Sequence, residues 1–445
     1  MSEQDVITTL EEGLAEIPLL DAHTHLDARH LAARGLHDVL LYHMVISDLV
    51  SAGCSSRARL SEHPNEREAA ARLQEAVPYV PRILNTSCFW GVRLILRDLY
   101  GWSEPITADN WQRLHAIIRE RSQEAAWPRE VLRRAGIRRA CTEFSRRHDG
   151  SADDIFQYAL EWAFFARAQW GANDMPLYEL ERAWNQTGPS EPLPVTLGAS
   201  RPEVARPIRT VADADEAVSY YVSKTPFGKV IATVQHISTD ISFRLVSEVE
   251  MAAALEHRDA ATPADRDIYA SYILERFLSA LELHGDEIVY QFSFGAEPLP
   301  YETGSKVRQE SIFELAAMIE RHPKLRFQVS LSSAHANQAL CTLARELPNL
   351  SLAGYWWHNF FPTIVRRVIG ERLDMVAQSK HVGFFSDAYC VDWAYAKAVM
   401  VRKQWAVVLA ERVAQGQYTI EEALAIARQA LYQTPYDLLG MRPAL

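Results

Sequence analysis

The chain has 445 residues, 48% hydrophobic and 23% charged, a composition inside the globular range and a length that a single α/β barrel with insertions can fill. A formal net charge of −11 argues against a nucleic-acid or anionic-membrane binder; the pairs Arg133-Arg134, Arg138-Arg139 and Arg146-Arg147 are short and interrupted by apolar residues. No run of about 18 apolar residues could span a bilayer, the first residues are acidic where a leader is basic, and Cys54, Cys88, Cys141, Cys341 and Cys390 lack CxxC spacing, so a cytoplasmic protein with reduced thiols is expected.

In chain order, short apolar or β-branched runs predict strands near 17–22, 137–142, 193–199, 229–235, 287–293, 325–331, 350–356 and 381–386. Helix-period segments lie between the later ones, such as 307–321 with Ile312, Leu315, Ala316 and Ile319 on one stripe. Strands alternating with helices imply a parallel sheet, and eight of them imply an α/β fold of the (β/α)8 TIM-barrel type. The stretch 27–136 is too long for one crossover and reads as a mainly helical insertion over the barrel mouth, within a single domain spanning 1–445. From Asp392 onward the chain is again helical, and Thr419-Ile420-Glu421-Glu422 has the pattern of a capping box that starts a final helix.

Enzymes of this fold carry their chemistry at the C-terminal strand ends. The first strand ends Leu20-Asp21-Ala22-His23-Thr24-His25-Leu26, and strand alternation turns His23 and His25 to one face, where two imidazoles can share a metal. The eighth ends Phe384-Phe385-Ser386-Asp387, so the Asp387 carboxylate would face both histidines across a closed barrel. Asp387 could ligate the metal, take a proton, or simply cap the following helix. Glu143, ending the second strand, is a weaker candidate. Two imidazoles and a carboxylate suit zinc first, with manganese, iron or cobalt also compatible.

Four segments spread over most of the chain resemble the uronate isomerase family of the amidohydrolase superfamily. Asp21 to Leu26 resembles its opening metal motif, and Ala199-Ser200-Arg201-Pro202-Glu203 its Arg-Pro-Asp segment. Tyr355-Trp356-Trp357-His358-Asn359 resembles its Trp-Trp-Phe-Asn segment, and His381 to Asp387 resembles the run ending Thr-Asp-Ser-Arg. The resemblance implies that Arg201 grips a substrate carboxylate or hydroxyl. It implies that Trp356 and Trp357 wall the pocket, that Tyr42 and His43 reach over the substrate, and that His236, ending the fourth strand, lines the site or supplies a third nitrogen. Asp387, with Tyr389 and His43, would be catalytic.

Two positions depart from the family. Ser293 stands in Gln291-Phe292-Ser293-Phe294-Gly295 where the family has histidine, and Tyr389 stands where it has arginine. The implied activity is a metal-dependent aldose–ketose isomerisation of a uronic or related sugar acid, working on a small molecule and compatible with a homo-oligomer. The alternative is a metal-dependent hydrolase of a sugar-acid lactone, ester or amide on the same residues. A barrel that had lost catalysis and acts as a scaffold would bind no metal.

Overall fold

The computed structural model describes residues 3–55, 65–161, 175–185, 205–225, 227–237, 242–284, 288–295, 307–355 and 360–441. Strands β1 (Leu19–Thr24), β2 (Ile137–Glu143), β3 (Phe156–Glu161), β4 (Val230–Ile237), β5 (Val289–Phe294), β6 (Arg326–Leu331), β7 (Leu350–Ala353) and β8 (His381–Val382) form one eight-stranded sheet in sequence order. All its neighbouring strands are parallel. Every residue of β1 and β5 is buried, as in a parallel sheet covered on both faces. Closure comes from the segment after β8: the Ala22 N–H donates to the Phe384 carbonyl at 3.4 Å, the Asp387 N–H to His23 at 3.1 Å and the His25 N–H to Ala388 at 3.0 Å. The sheet is thus the (β/α)8 barrel expected from the strand pattern.

The third strand is the exception. The run 193–199 lies outside the described residues, and the place between β2 and β4 belongs to Phe156–Glu161, with Ala140 opposite Phe156 and Leu160 opposite Thr233. Only a 3₁₀ turn, Phe144–Arg146, separates β2 from β3, so the helical signal that marks the other crossovers is missing here. The remaining predicted strands are found within a few residues of their expected positions.

Ala22, Ala159, Ala232, Val234 and Ala353 pack inside the barrel with Leu439 and Met441 from the end of the chain. Gln157, at the start of β3, donates to the Gly440 carbonyl at 3.2 Å, which puts that plug at the N-terminal end and leaves the C-terminal end for chemistry. Between β1 and β2 the chain runs largely through helices, among them His43–Ser51, Ser87–Tyr100 and Trp127–Ala135.

The helix Val391–Ala414 packs against Glu3–Ala15, Ser87–Tyr100, Trp127–Ala135 and Pro362–Met375. Trp393, Trp405 and Lys397 are among its buried side chains. The Thr419 hydroxyl and the Glu422 carboxylate form the capping box that starts the helix Ile420–Arg428. Among the described residues no helix is long and apolar enough to cross a membrane.

Candidate metal centre at the barrel mouth

Leu20 and Ala22 of β1 point into the barrel core. A register shift between Asp21 and Thr24 then breaks the strict alternation at the strand's C-terminal end. Such irregularities re-aim side chains at barrel rims. His23 and His25 both turn into the mouth, their rings edge to face with centroids 4.9 Å apart. Phe385 presses edge-on against His23 at 5.6 Å. Its ring lies where a Cβ on Gly354 would sit, so glycine at that position, with φ +46°, lets the aromatic wall close up.

The Asp387 carboxylate stands opposite. One of its oxygens lies 3.1 Å from His25 Nε2 and 3.5 Å from His23 Nε2. The ligating atoms of His23, His25 and Asp387 all fall within 4.8 Å of one another, and the two histidines are buried. Donors held about 2.1 Å from a tetrahedral ion lie roughly 3.4 Å apart, so the measured separations are those of atoms arranged around one cation. By donor type and spacing the three residues fit a divalent metal.

A second carboxylate backs His25. His25 Nδ1 is hydrogen-bonded to Glu143 Oε1, and the other Glu143 oxygen accepts from Arg146 Nε. This carboxylate–histidine relay fixes the ring so that Nε2 faces the site. Burial opposes charge on the His25 imidazole, but Glu143 and Asp387 outweigh it and push its pKa up to about 10. Burial would raise both carboxylates; instead Arg146 and His25 hold Glu143 well below the usual range, and hydrogen bonds from His23 and His25 do the same for Asp387. Asp21 behaves differently: burial pushes its carboxyl up to about 7 although it accepts the Ser386 N–H at 2.7 Å.

Of the other residues read from the sequence, Tyr389 stacks on His25 with centroids 4.8 Å apart and planes 16° from parallel. Tyr42 is buried, meets Tyr389 edge-on at 5.9 Å and donates its hydroxyl to the Asp387 carbonyl at 2.8 Å. It therefore grips the turn that carries Asp387. His43 begins the helix His43–Ser51, and His236 lies on β4 directly beside Ser293 of β5. Arg201, Trp356 and Trp357 lie outside the described residues. Ser293 pairs its hydroxyl with that of Ser330 on β6 at 2.8 Å, so polar oxygens occupy the β5 and β6 wall.

Two contributors escaped the sequence. The Arg146 contact to Glu143 follows from a 3₁₀ turn that strand patterning does not foresee. Lys397 sits on a long helix, where a lone lysine reads as solvent-facing, yet its Nζ is 3.0 Å from the Asp387 carbonyl.

The eight-stranded parallel barrel thus carries a cluster of three metal-type donors at its C-terminal mouth. Solved structures similar to the chain include the glucuronate isomerase of Caulobacter crescentus, with a TM-score of 0.78 at 15% identity over 100% of this chain and 95% of that one. The uronate isomerase of Thermotoga maritima gives a TM-score of 0.77 at 15% identity over 98% and 97% of the two chains. A Lactobacillus casei protein, provisionally described as a metal-dependent hydrolase, gives 0.58 at 13% identity over 97% of each. No family model and no curated protein sequence matches the chain. At these identities the likeness is one of fold, and the chain shares the fold of the uronate isomerases end to end.

Proposed function

We propose that the protein is a metal-dependent sugar-acid isomerase that interconverts an aldo- and a keto-uronate in the cytoplasm. The observation that carries this is the convergence of His23, His25 and Asp387 at the mouth of a barrel whose whole length superposes on uronate isomerases. A divalent cation held by these three residues would supply Lewis-acid stabilisation to negative charge that develops on the substrate's carbonyl and hydroxyl oxygens.

The chain's own groups account for the rest. Arg201 anchors the acid end of the open-chain sugar. The Asp387 carboxylate takes the proton from the carbon next to the aldehyde while the Tyr389 hydroxyl donates to the carbonyl oxygen, and the product of that step is a cis-enediol. Returning a proton to the former aldehyde carbon, as the neighbouring hydroxyl loses its own, yields the ketose; no atom is gained or lost. The stacked Tyr389 and the hydroxyl pair of Ser293 and Ser330 give the mouth a hydrogen-bonding wall suited to a polyol.

The test is to load purified protein with zinc, manganese, iron or cobalt and follow aldohexuronates by proton NMR in deuterated water. Deuterium should enter the carbon next to the carbonyl as the ketose accumulates, and His25→Ala should abolish it. Ser293, a hydroxyl where an isomerase-like strand would place an imidazole, favours a second reading: hydrolysis of a sugar-acid lactone, ester or amide on the same centre. Incorporation of oxygen from labelled water, with no aldose–ketose exchange, would replace the first reading by the second.

A further inference from the structure

Asp387 is the one non-glycine residue among the described residues with a positive φ, +51°. The left-handed region disfavours L side chains, although Asp visits it more readily than most. A conformation of this kind persists only where its surroundings hold it. Its neighbours on either side are tied to β1: the Ser386 N–H donates to Asp21, and the Ala388 carbonyl accepts from the His25 N–H and from Thr24 Oγ1, both at 3.0 Å. The peptide carbonyl of Asp387 itself leaves this ladder and points into buried space.

Two donors meet it there. Tyr42 donates its hydroxyl at 2.8 Å and Lys397 its Nζ at 3.0 Å, and Lys397 also donates to the Tyr42 hydroxyl at 3.1 Å, closing a three-membered ring of hydrogen bonds. Lys397 is only 1% exposed, its Nζ 4.6 Å from the centre of the Phe360 ring and 5.2 Å from that of Tyr42. Tyr42 is itself stacked on Trp393, one turn earlier on the same helix as Lys397, with centroids 4.6 Å apart. The helix Val391–Ala414 thus fixes both donors, and they fix the Asp387 carbonyl, one bond removed from the Cα that carries its carboxylate.

We infer that Lys397 is a positioning residue of the metal centre: together with Tyr42 it locks the left-handed turn at Asp387 and so aims the carboxylate at the point where His23 and His25 converge. This rests on the metal-centre reading above. Lys397 donates to the Asp387 main-chain carbonyl and acts through it. A buried lysine that served packing alone would be replaced by methionine with some loss of thermal stability and no change at the metal.

The experiment compares wild type, Lys397→Met, Tyr42→Phe and Lys397→Gln as cobalt(II)-loaded proteins. Cobalt affinity is read by chelator competition, the coordination by visible absorption, and folding by thermal denaturation. Lys397→Met should weaken cobalt binding by about tenfold or more and change the visible bands. Tyr42→Phe should shift both in the same direction by less, and Lys397→Gln, which keeps an N–H donor, should recover part of the loss. If Lys397→Met fails to fold, Tyr42→Phe carries the comparison. Tight cobalt binding in wild type with affinity and spectrum unchanged in the folded variants overturns the inference alone. Absence of cobalt binding in wild type overturns the metal-centre reading and this inference with it.

Discussion

The geometry around His25 assigns its two ring nitrogens different work. Nε2 faces Asp387 and Nδ1 is held by Glu143, so the ring can present only one nitrogen to a cation, and Glu143 sets which one. Glu143→Gln keeps the size and one oxygen acceptor while removing the charge that orients and polarises the imidazole. The expected result is a loss of divalent-metal affinity of about 10- to 100-fold, roughly 1.4 to 2.7 kcal/mol, with little change in overall fold. Competition with a chromophoric chelator measures it; an affinity within twofold of wild type would show that Glu143 is a bystander. Of the site, His23, His25 and Asp387 were legible because strand ends mark the catalytic rim and alternation puts two histidines on one face. Glu143 was legible only as a strand-end acid. Its hydrogen bond to His25 crosses from one strand to the next, and no one-dimensional pattern records that.

Among elements, strands with helical crossovers were easy to place and the junction between β2 and β3 was not. Residues 144–155 form a loop with a single 3₁₀ turn, tied by Arg147, which pairs with Asp153 at 2.6 Å, and by Arg139, which donates to the Asp153 carbonyl at 3.0 Å. With no helix there, the strand Phe156–Glu161 lacks the alternation with a helix that marks the other strands in the sequence. Lys397 was hidden for another reason, since its Tyr42 partner lies near the start of the chain. A further element junction joins the helix Pro263–Leu281 to Gln309–Arg321 through Glu275, which accepts from Arg321 at 2.7 and 3.1 Å and lies 3.2 Å from His322 Nε2. Burial would raise the Glu275 carboxyl, but His322 and Arg321 outweigh it and pull its pKa from 4.5 to about 2. A depressed folded-state value means the stabilisation is fully present above the unfolded value and is lost as pH falls through the folded one, here between about 4.5 and about 2. Allowing for solvent screening of a partly exposed group, it amounts to about 1–2 kcal/mol. Glu275→Gln should therefore be less stable than wild type near neutrality and should show a shallower fall in stability over that acid window. Parallel denaturation curves at pH 5 and pH 3 for the two proteins would refute the assignment.

At the scale of the whole molecule, the candidate metal centre joins the first strand to the segment that follows the last. His23 and His25 come from β1, and Asp387 from the turn whose main-chain hydrogen bonds close the barrel after the two-residue β8. A cation bound there would bridge the seam at which the chain's early and late parts meet, and Tyr42 and Lys397 tie the helical layer to the same turn. Without it, two imidazoles and a carboxylate must share one small buried space by proton placement alone. Binding to the native state alone adds RT ln(1 + [M]/Kd), about 2.7 kcal/mol when free metal is a hundredfold above Kd. For a chain of 445 residues that corresponds to a rise of roughly 3 °C in Tm. Chelator-treated protein should melt lower by that margin and recover on adding the correct ion, with the rise setting in near the Kd found by competition and growing logarithmically above it. His25→Ala, which removes one of the three donors, should lose most of the rise while still melting cooperatively. A wild-type Tm that no zinc, manganese, iron or cobalt addition moves, or an equal rise in His25→Ala, would mean that the convergence of these residues closes the barrel without a cation.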